Sequence, residues 1–167
     1  DAAVEAIIET VSRLDNSVLA VQGPPGAGKT YVASRCIAHL LNQGARIGVV
    51  ANSHKACENL IEACLELGVD AGRIFKPNQK GDTAPKAWNT PVDSGAVASE
   101  SRHITDGVLI GGTAWTFADP DVSSEIFDYI FIDEAAQFSM VDALAVANAT
   151  NNLVLLGDPQ QLPQVVN

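Results

Sequence analysis

Ten residues constrain this chain more than any others: Val21-Gln22-Gly23-Pro24-Pro25-Gly26-Ala27-Gly28-Lys29-Thr30. They satisfy G-x-x-x-x-G-K-[ST] in full, and the flanks suit the motif. Ser17–Val21 reads as a short buried strand. Tyr31–Leu41 carries Val32, Cys36, Ile37, Leu40 and Leu41 at helical spacing. Strand, glycine loop and helix are the context that makes the match a P-loop. Gly23, Gly26 and Gly28 allow backbone conformations that a Cβ forbids, so successive N–H groups can face one concavity. Pro24 and Ala27 complete that cradle. The helix N-terminus adds partial positive charge where phosphates sit. Lys29 is placed to reach the β- and γ-phosphates of ATP, and the Thr30 hydroxyl to ligate Mg²⁺.

The remainder reads as one domain built around that unit. A length of 167 residues suits a single core, and 47% apolar with 18% charged residues is globular composition. No apolar run approaches a membrane span and no signal peptide opens the chain. Cys36, Cys57 and Cys64 fall in expected helices and read as reduced, buried thiols of a cytoplasmic protein. The net charge of −10 argues against coating nucleic acid by charge alone, though a local groove is compatible with it.

Val4, Ile7, Ile8, Val11 and Leu14 share one face of a first amphipathic helix. The chain opens inside this pattern without an initiator Met, which reads as a piece excised from a longer protein. Arg46–Ala51 is a second buried strand, and Asn52-Ser53 caps a helix from His54 to about Leu67. Ile74-Phe75 reads as a short third strand. The segment 76–107 is rich in Pro and polar residues and reads as a long loop or insertion. Its Lys76, Lys80, Lys86, Arg102 and His103 suit either a solvated surface or a nucleic-acid contact. Further strands are expected at Val108–Gly111, Tyr129–Ile132 and Leu153–Leu156, with a helix over Met140–Ala147 capped by Ser139. This alternation predicts an α/β fold: a doubly wound, mostly parallel sheet with helices on both faces and its site at the strands' C-terminal ends.

The second half of the site is Asp133-Glu134, at the end of an apolar strand. Asp133 is the metal-side acid, because Mg²⁺ prefers carboxylate oxygen and keeps much of its hydration. Glu134 is the candidate general base for an attacking water.

Gln22–Thr30, Asp133-Glu134-Ala135-Ala136-Gln137 and Gly157-Asp158-Pro159-Gln160-Gln161-Leu162-Pro163 resemble motifs I, II and III of superfamily 1 helicases. They are most similar to the 1B branch, which moves 5′ to 3′ and includes the RNA-surveillance helicase and the Okazaki-fragment nuclease-helicase. Val50–Lys55 resembles motif Ia of a bacterial subgroup fused to a RecB-like nuclease. The resemblance implies that the whole chain, 1–167, is the first RecA-like domain of a P-loop helicase. It also implies ATP and Mg²⁺ as cofactors and a second RecA-like domain of the same parent chain, with its arginine finger, as partner. A fused nuclease is a further possible partner. Gln161 then senses the γ-phosphate. Ser53, His54 and Thr113 contact the backbone of single-stranded nucleic acid, DNA favoured over RNA. Trp115 and Phe117 suit either base stacking or core packing. Asn52, His54 and Gln164 depart from the family pattern. A P-loop phosphotransferase or nucleotide-dependent switch is the alternative that the residues alone leave open.

Overall fold

The structure is a computed structural model describing residues 2–158. Its strands are β1 (Val18–Gln22), β2 (Arg46–Val50), β3 (Ile74–Phe75), β4 (Val108–Gly112), β5 (Phe127–Ile132) and β6 (Thr150–Gly157). They form one sheet in the order β1-β6-β5-β2-β4-β3, and every neighbouring pair is parallel. The helices are α1 (Ala2–Ser12), α2 (Lys29–Asn42), α3 (His54–Glu66), α4 (Ser94–Ser101), α5 (Ala114–Ala118), α6 (Pro120–Ser123) and α7 (Met140–Ala147). Among the described residues, no helix is long and apolar enough to cross a membrane.

Side-chain alternation divides the core into two layers. Ile47, Val49, Leu109, Phe131, Val154 and Leu156 point to one face and pack with Ile37, Leu41, Leu60 and Ile61 of α2 and α3. Val50, Val108, Ile110, Ile130 and Ile132 point to the other and pack with Val97, Phe117, Val122 and Val146 from α4 to α7. Strands covered on both sides need apolar residues at both parities, which is why β2, β4 and β5 read as continuous apolar runs. Gly48 sits at a tight point of the second layer. A Cβ there would lie 2.6 Å from Phe117 Cε1 and 2.8 Å from Ile130 Cγ1, so the missing side chain is what admits the Phe117 ring. Phe117 is fully buried and tilts against Phe127 at 5.3 Å, which places it in the core and removes it as a stacking candidate.

Two expectations need correction. Val18–Gln22 is a strand but not a buried one. It is the sheet edge among the described residues, pairs only with β6 there, and leaves Val18 60% exposed. An apolar sequence shows strand propensity, whereas its position in the sheet depends on partners distant in the chain.

The segment 76–107 is also more ordered than a loop. Asn89 clasps it to β3: its N–H donates to the Ile74 carbonyl at 3.0 Å, and the Lys76 N–H donates to the Asn89 carbonyl at 3.0 Å. The Asn89 amide donates to the carbonyls of Ala71, Gly72 and Ile74. Asp93 then caps α4, whose Ser-Gly-Ala-rich sequence lacks a strong apolar stripe.

Most of this segment's basic residues are committed internally. Lys76, only 3% exposed, and Lys86 each lie 3.1 Å from the buried Glu58 carboxylate, with Lys86 also 3.1 Å from Asp82. Arg102 donates to Glu125 at 2.7 Å. Lys80 and His103 are exposed.

Candidate active site and strand-end groove

The sheet order brings β1, β6 and β5 side by side, so residues far apart in sequence converge at their C-terminal ends. The loop after β1 turns through Gly26 (φ 77°) and Gly28 (φ 79°), both in the left-handed region that favours glycine. Gly28 is the N-cap of α2 and contributes no side-chain acceptor. The first N–H groups of α2 therefore depend on another acceptor, the arrangement that suits an anion. Gly23 is held by two close contacts. Its N–H donates to the Gly157 carbonyl at 3.1 Å, and a Cβ on it would meet Ala27 Cβ at 3.1 Å. Ala27 N–H donates to the Pro24 carbonyl at 3.1 Å, closing the loop. The Lys29 ammonium crosses that loop and donates to the carbonyls of Gly23 (2.7 Å) and Pro24 (3.0 Å).

From β5, the Asp133 N–H donates to the Val50 carbonyl at 2.8 Å, anchoring the strand end against β2. The Asp133 carboxyl is half-buried and accepts the Glu134 N–H at 2.9 Å. Burial raises its pKa above the ordinary carboxylate value, the neighbouring Glu134 charge adds to this, and the Glu134 N–H and Lys29 oppose it. Glu134 itself is exposed and adopts φ 52°, ψ 43°. A non-glycine residue in that region carries about 1–2 kcal/mol of strain, of the kind that accumulates at functional sites.

These elements enclose a cavity of about 480 Å³ lined by Pro25, Gly26, Gly28, Lys29, Thr30, Tyr31, Asp133, Glu134, Gly157 and Asp158. Such a volume suits a nucleotide. The residues fit ATP with a divalent ion: a glycine cradle and an uncapped helix start for the phosphates, an ammonium beside them, and hydroxyl and carboxylate oxygens for a hard cation. Gly23, Pro24 and Ala27 shape the loop without lining the cavity. Gln161 lies outside the described residues. Sequence reasoning missed Pro25, Tyr31, Gly157 and Asp158 as lining residues. The last two open the Gly-Asp-Pro-Gln-Gln stretch, and that was the signal available for them.

The nucleic-acid candidates follow the next two strands of the sheet, β2 and β4. Ser53 and His54 follow β2, and Thr113 and Trp115 follow β4. The two strands are paired in register (Val50↔Gly112), with the Ala51 N–H donating to the Gly112 carbonyl at 3.3 Å. Ser53 Oγ accepts the Ala56 N–H at 3.1 Å and so caps α3. Thr113 is the N-cap of α5 and makes no side-chain cap bond. Trp115 is 83% exposed, which excludes core packing. His54 has a buried Nδ1 without a hydrogen-bond partner. Burial lowers its pKa and the Lys76 charge lowers it further against the pull of Glu58, so the ring is neutral at pH 7.

Fold and site together define a P-loop ATPase of the RecA-like helicase class. Residues 5–167 match the AAA domain family. The chain belongs to that family as a first RecA-like domain, related to the ATPase domains of DNA2-type and nonsense-transcript-regulator superfamily 1 helicases.

It is 29% identical over 168 residues to the DNA replication ATP-dependent helicase/nuclease DNA2 of Saccharomyces cerevisiae, covering 95% of this chain and 10% of the relative. Against Regulator of nonsense transcripts 1 of Dictyostelium discoideum the identity is 24% over 202 residues, with 97% and 15% covered. The chain thus spans about a tenth to a seventh of these relatives. The fold is also that of the arterivirus nonstructural protein 10 helicase solved with DNA (TM-score 0.61, 20% identity, 90% of this chain and 31% of that one). The restriction-modification enzyme LlaGI is similar in fold (TM-score 0.62, 15% identity, 96% and 17% covered).

Proposed function

We propose that this chain is the ATP-binding and hydrolysing half of a helicase or translocase that couples ATP hydrolysis to movement on single-stranded nucleic acid, DNA favoured over RNA. One observation carries the reading: Lys29, Thr30, Asp133 and Glu134, from two elements about a hundred residues apart, line a single cavity. The loop N–H groups and Lys29 bind and orient the phosphates, Lys29 exchanging its carbonyl partners for phosphate oxygens. The Thr30 hydroxyl and Asp133 carboxylate hold Mg²⁺, which when bound neutralises phosphate charge. Glu134 orients the attacking water and accepts its proton. Gln161 senses the γ-phosphate. Ser53, His54, Thr113 and Trp115 form the strand contact, the first three at the backbone and Trp115 by stacking.

In this reading the catalytic site is completed by a second RecA-like domain of the same parent chain, whose arginine finger supplies a large part of the rate. A nuclease fused to that chain is a further part of the proposal, supported by the helicase/nuclease relatives. The deciding experiment is steady-state ATP hydrolysis by the full-length protein, with and without single-stranded DNA or RNA. Stimulation of tenfold or more supports a motor and identifies its track. Tight nucleotide binding with no stimulation, and phosphate transfer to an acceptor other than water, would replace the motor with a phosphotransferase.

A further inference from the structure

Ten Lys and Arg residues serve the whole chain, and none occurs after Arg102. A phosphate passing Thr113 and Trp115 must therefore find its positive charge on earlier segments. Among the described residues, most of the ten are already engaged. Arg13 pairs with Glu9, Arg46 and Arg102 pair with Glu125, and Lys76 and Lys86 pair with Glu58. Lys29 holds carbonyls of the phosphate loop, Arg73 holds those of Leu41 and Asp106, and the Arg35 guanidinium lies over the Tyr31 ring. Lys55 and Lys80 remain, both exposed and without a partner among the described residues. Both belong to the strand-end side of the sheet. Lys55 is in the first turn of α3, directly after Ser53 and His54. Lys80 is in the loop that leaves the C-terminal end of β3, and the order β2-β4-β3 sets that end next to the one carrying Thr113. Adjacent strands lie about 4.8 Å apart, so the ends of β2 and β3 are about 10 Å from each other. The loop has a defined corner. The Asp82 N–H donates to the Gln79 carbonyl at 2.9 Å and Gly81 has φ 87°, which makes residues 79–82 a type II turn with Lys80 at its first central position. Its base is tied by the Asn78 N–H, which donates to the Pro91 carbonyl at 2.8 Å. The neighbouring acids are neutralised: Lys86 lies 3.1 Å from both Asp82 and Glu58, Lys76 lies 3.1 Å from Glu58, and the Ala84 N–H donates to Asp82 at 3.0 Å. Two carboxylates and two ammonium groups cancel, and the charge of Lys80 is left uncompensated.

We propose that Lys80, together with Lys55, binds phosphates of the single strand, and that the turn at 79–82 forms the far wall of a groove running from the end of β2 across β4 to β3. This rests on the nucleic-acid reading above and extends that contact by one strand of the sheet. The pairing of Asp82 and Glu58 with Lys76 and Lys86 then removes the two negative charges that would repel a phosphate there. His54, neutral at pH 7, adds no charge of its own, so the ionic part of the contact falls to the two lysines. Ammonium–phosphate contacts carry no sequence information, and each one on a single strand contributes about 0.7 to the slope of log affinity against log salt.

The test is fluorescence anisotropy of a labelled oligothymidylate and a labelled oligouridylate with the full-length protein, from about 50 mM to about 0.5 M salt. The expected result is that Lys80→Ala lowers the salt slope by about 0.7 and weakens binding about eightfold at about 50 mM salt, with the difference shrinking as salt rises. Lys55→Ala does the same, and the double variant lowers the slope by about 1.4. Lys80→Arg binds like the native protein. Arg13→Ala removes one positive charge at the opposite end of the sheet, just before β1, and leaves the slope unchanged. An unchanged slope in Lys80→Ala, or an equal fall in Lys80→Ala and Arg13→Ala, overturns the extended groove; if Trp115→Ala still weakens binding, the strand contact itself stands. Failure of the native protein to bind either oligonucleotide overturns the nucleic-acid reading itself.

Discussion

Replacing Glu58 by Ala tests the tie between α3 and the segment that follows β3. The carboxylate is 8% exposed and bonds Lys76 and Lys86, each at 3.1 Å, while Lys76 is itself 3% exposed. The substitution leaves the Lys76 ammonium buried without its counter-charge. Removing one partner of a buried pair costs about 3–5 kcal/mol. For a chain of this size that lowers Tm by about 6–20 °C. Replacing both buried charges with apolar residues, Glu58→Leu with Lys76→Met, should recover most of the loss, since it is the orphaned charge that is expensive.

The pH dependence has a definite sign. Burial alone would raise the Glu58 pKa, but hydrogen bonds and charge from Lys76 and Lys86 outweigh it and hold the carboxyl below its ordinary value. Its contribution is therefore present above about pH 4.5 and fades as pH falls through the depressed folded value. Urea unfolding of the native chain and of Glu58→Gln at pH 7 and pH 3 measures this, with the gap between them smaller at pH 3. A Glu58→Ala cost under about 1 kcal/mol, or a Glu58→Gln gap independent of pH, would refute the reasoning.

Glu134→Gln should leave ATP affinity within about threefold while lowering nucleic-acid-stimulated hydrolysis by about 10²- to 10⁴-fold in the full-length protein, read by phosphate release. Asp133→Asn should raise Tm while abolishing Mg²⁺-dependent hydrolysis. Burial makes the ionised carboxylate unfavourable in the fold, so the gain in Tm is larger at pH 8 than at pH 4. Trp115→Ala should weaken single-stranded nucleic-acid binding by about tenfold in fluorescence anisotropy, with Tm unchanged because the side chain is 83% exposed. A fall in Tm with binding intact would return Trp115 to a structural role.

The glycine loop, Lys29, Thr30 and the Asp133-Glu134 strand end were legible in the sequence because each is a local signal. Positive φ at Gly26 and Gly28, an uncapped helix start and acids after an apolar strand are all written within a few consecutive residues. The continuous apolar runs of β2, β4 and β5 likewise announced strands covered on both faces. The cap at Ser53, the caps at Asp93 and Ser139, and the burial of the three cysteines involve short-range chemistry or simple hydrophobicity. Of these only the Asp93 cap escaped notice, because the helix it starts has no clear apolar periodicity.

Tertiary structure alone decided matters that depend on which distant segments meet. Among the described residues the sheet order put β1 at an edge and so exposed Val18, although its sequence resembles that of a central strand. Pairing with Glu58, 18 and 28 residues away, turned Lys76 and Lys86 from candidate nucleic-acid contacts into an internal ionic clasp. Gly48 opened the space that drew Phe117 into the core, while Trp115, two positions earlier on the same short helix, stayed in solvent. The left-handed backbone of Glu134 and the Tyr31–Arg35 stack at the cavity rim have no signature in composition or spacing. Local sequence sets which conformations are inexpensive for each segment. Only the packed sheet sets which charges are desolvated together and which side chains share one cavity, because those energies belong to contacts between segments and not to any segment by itself.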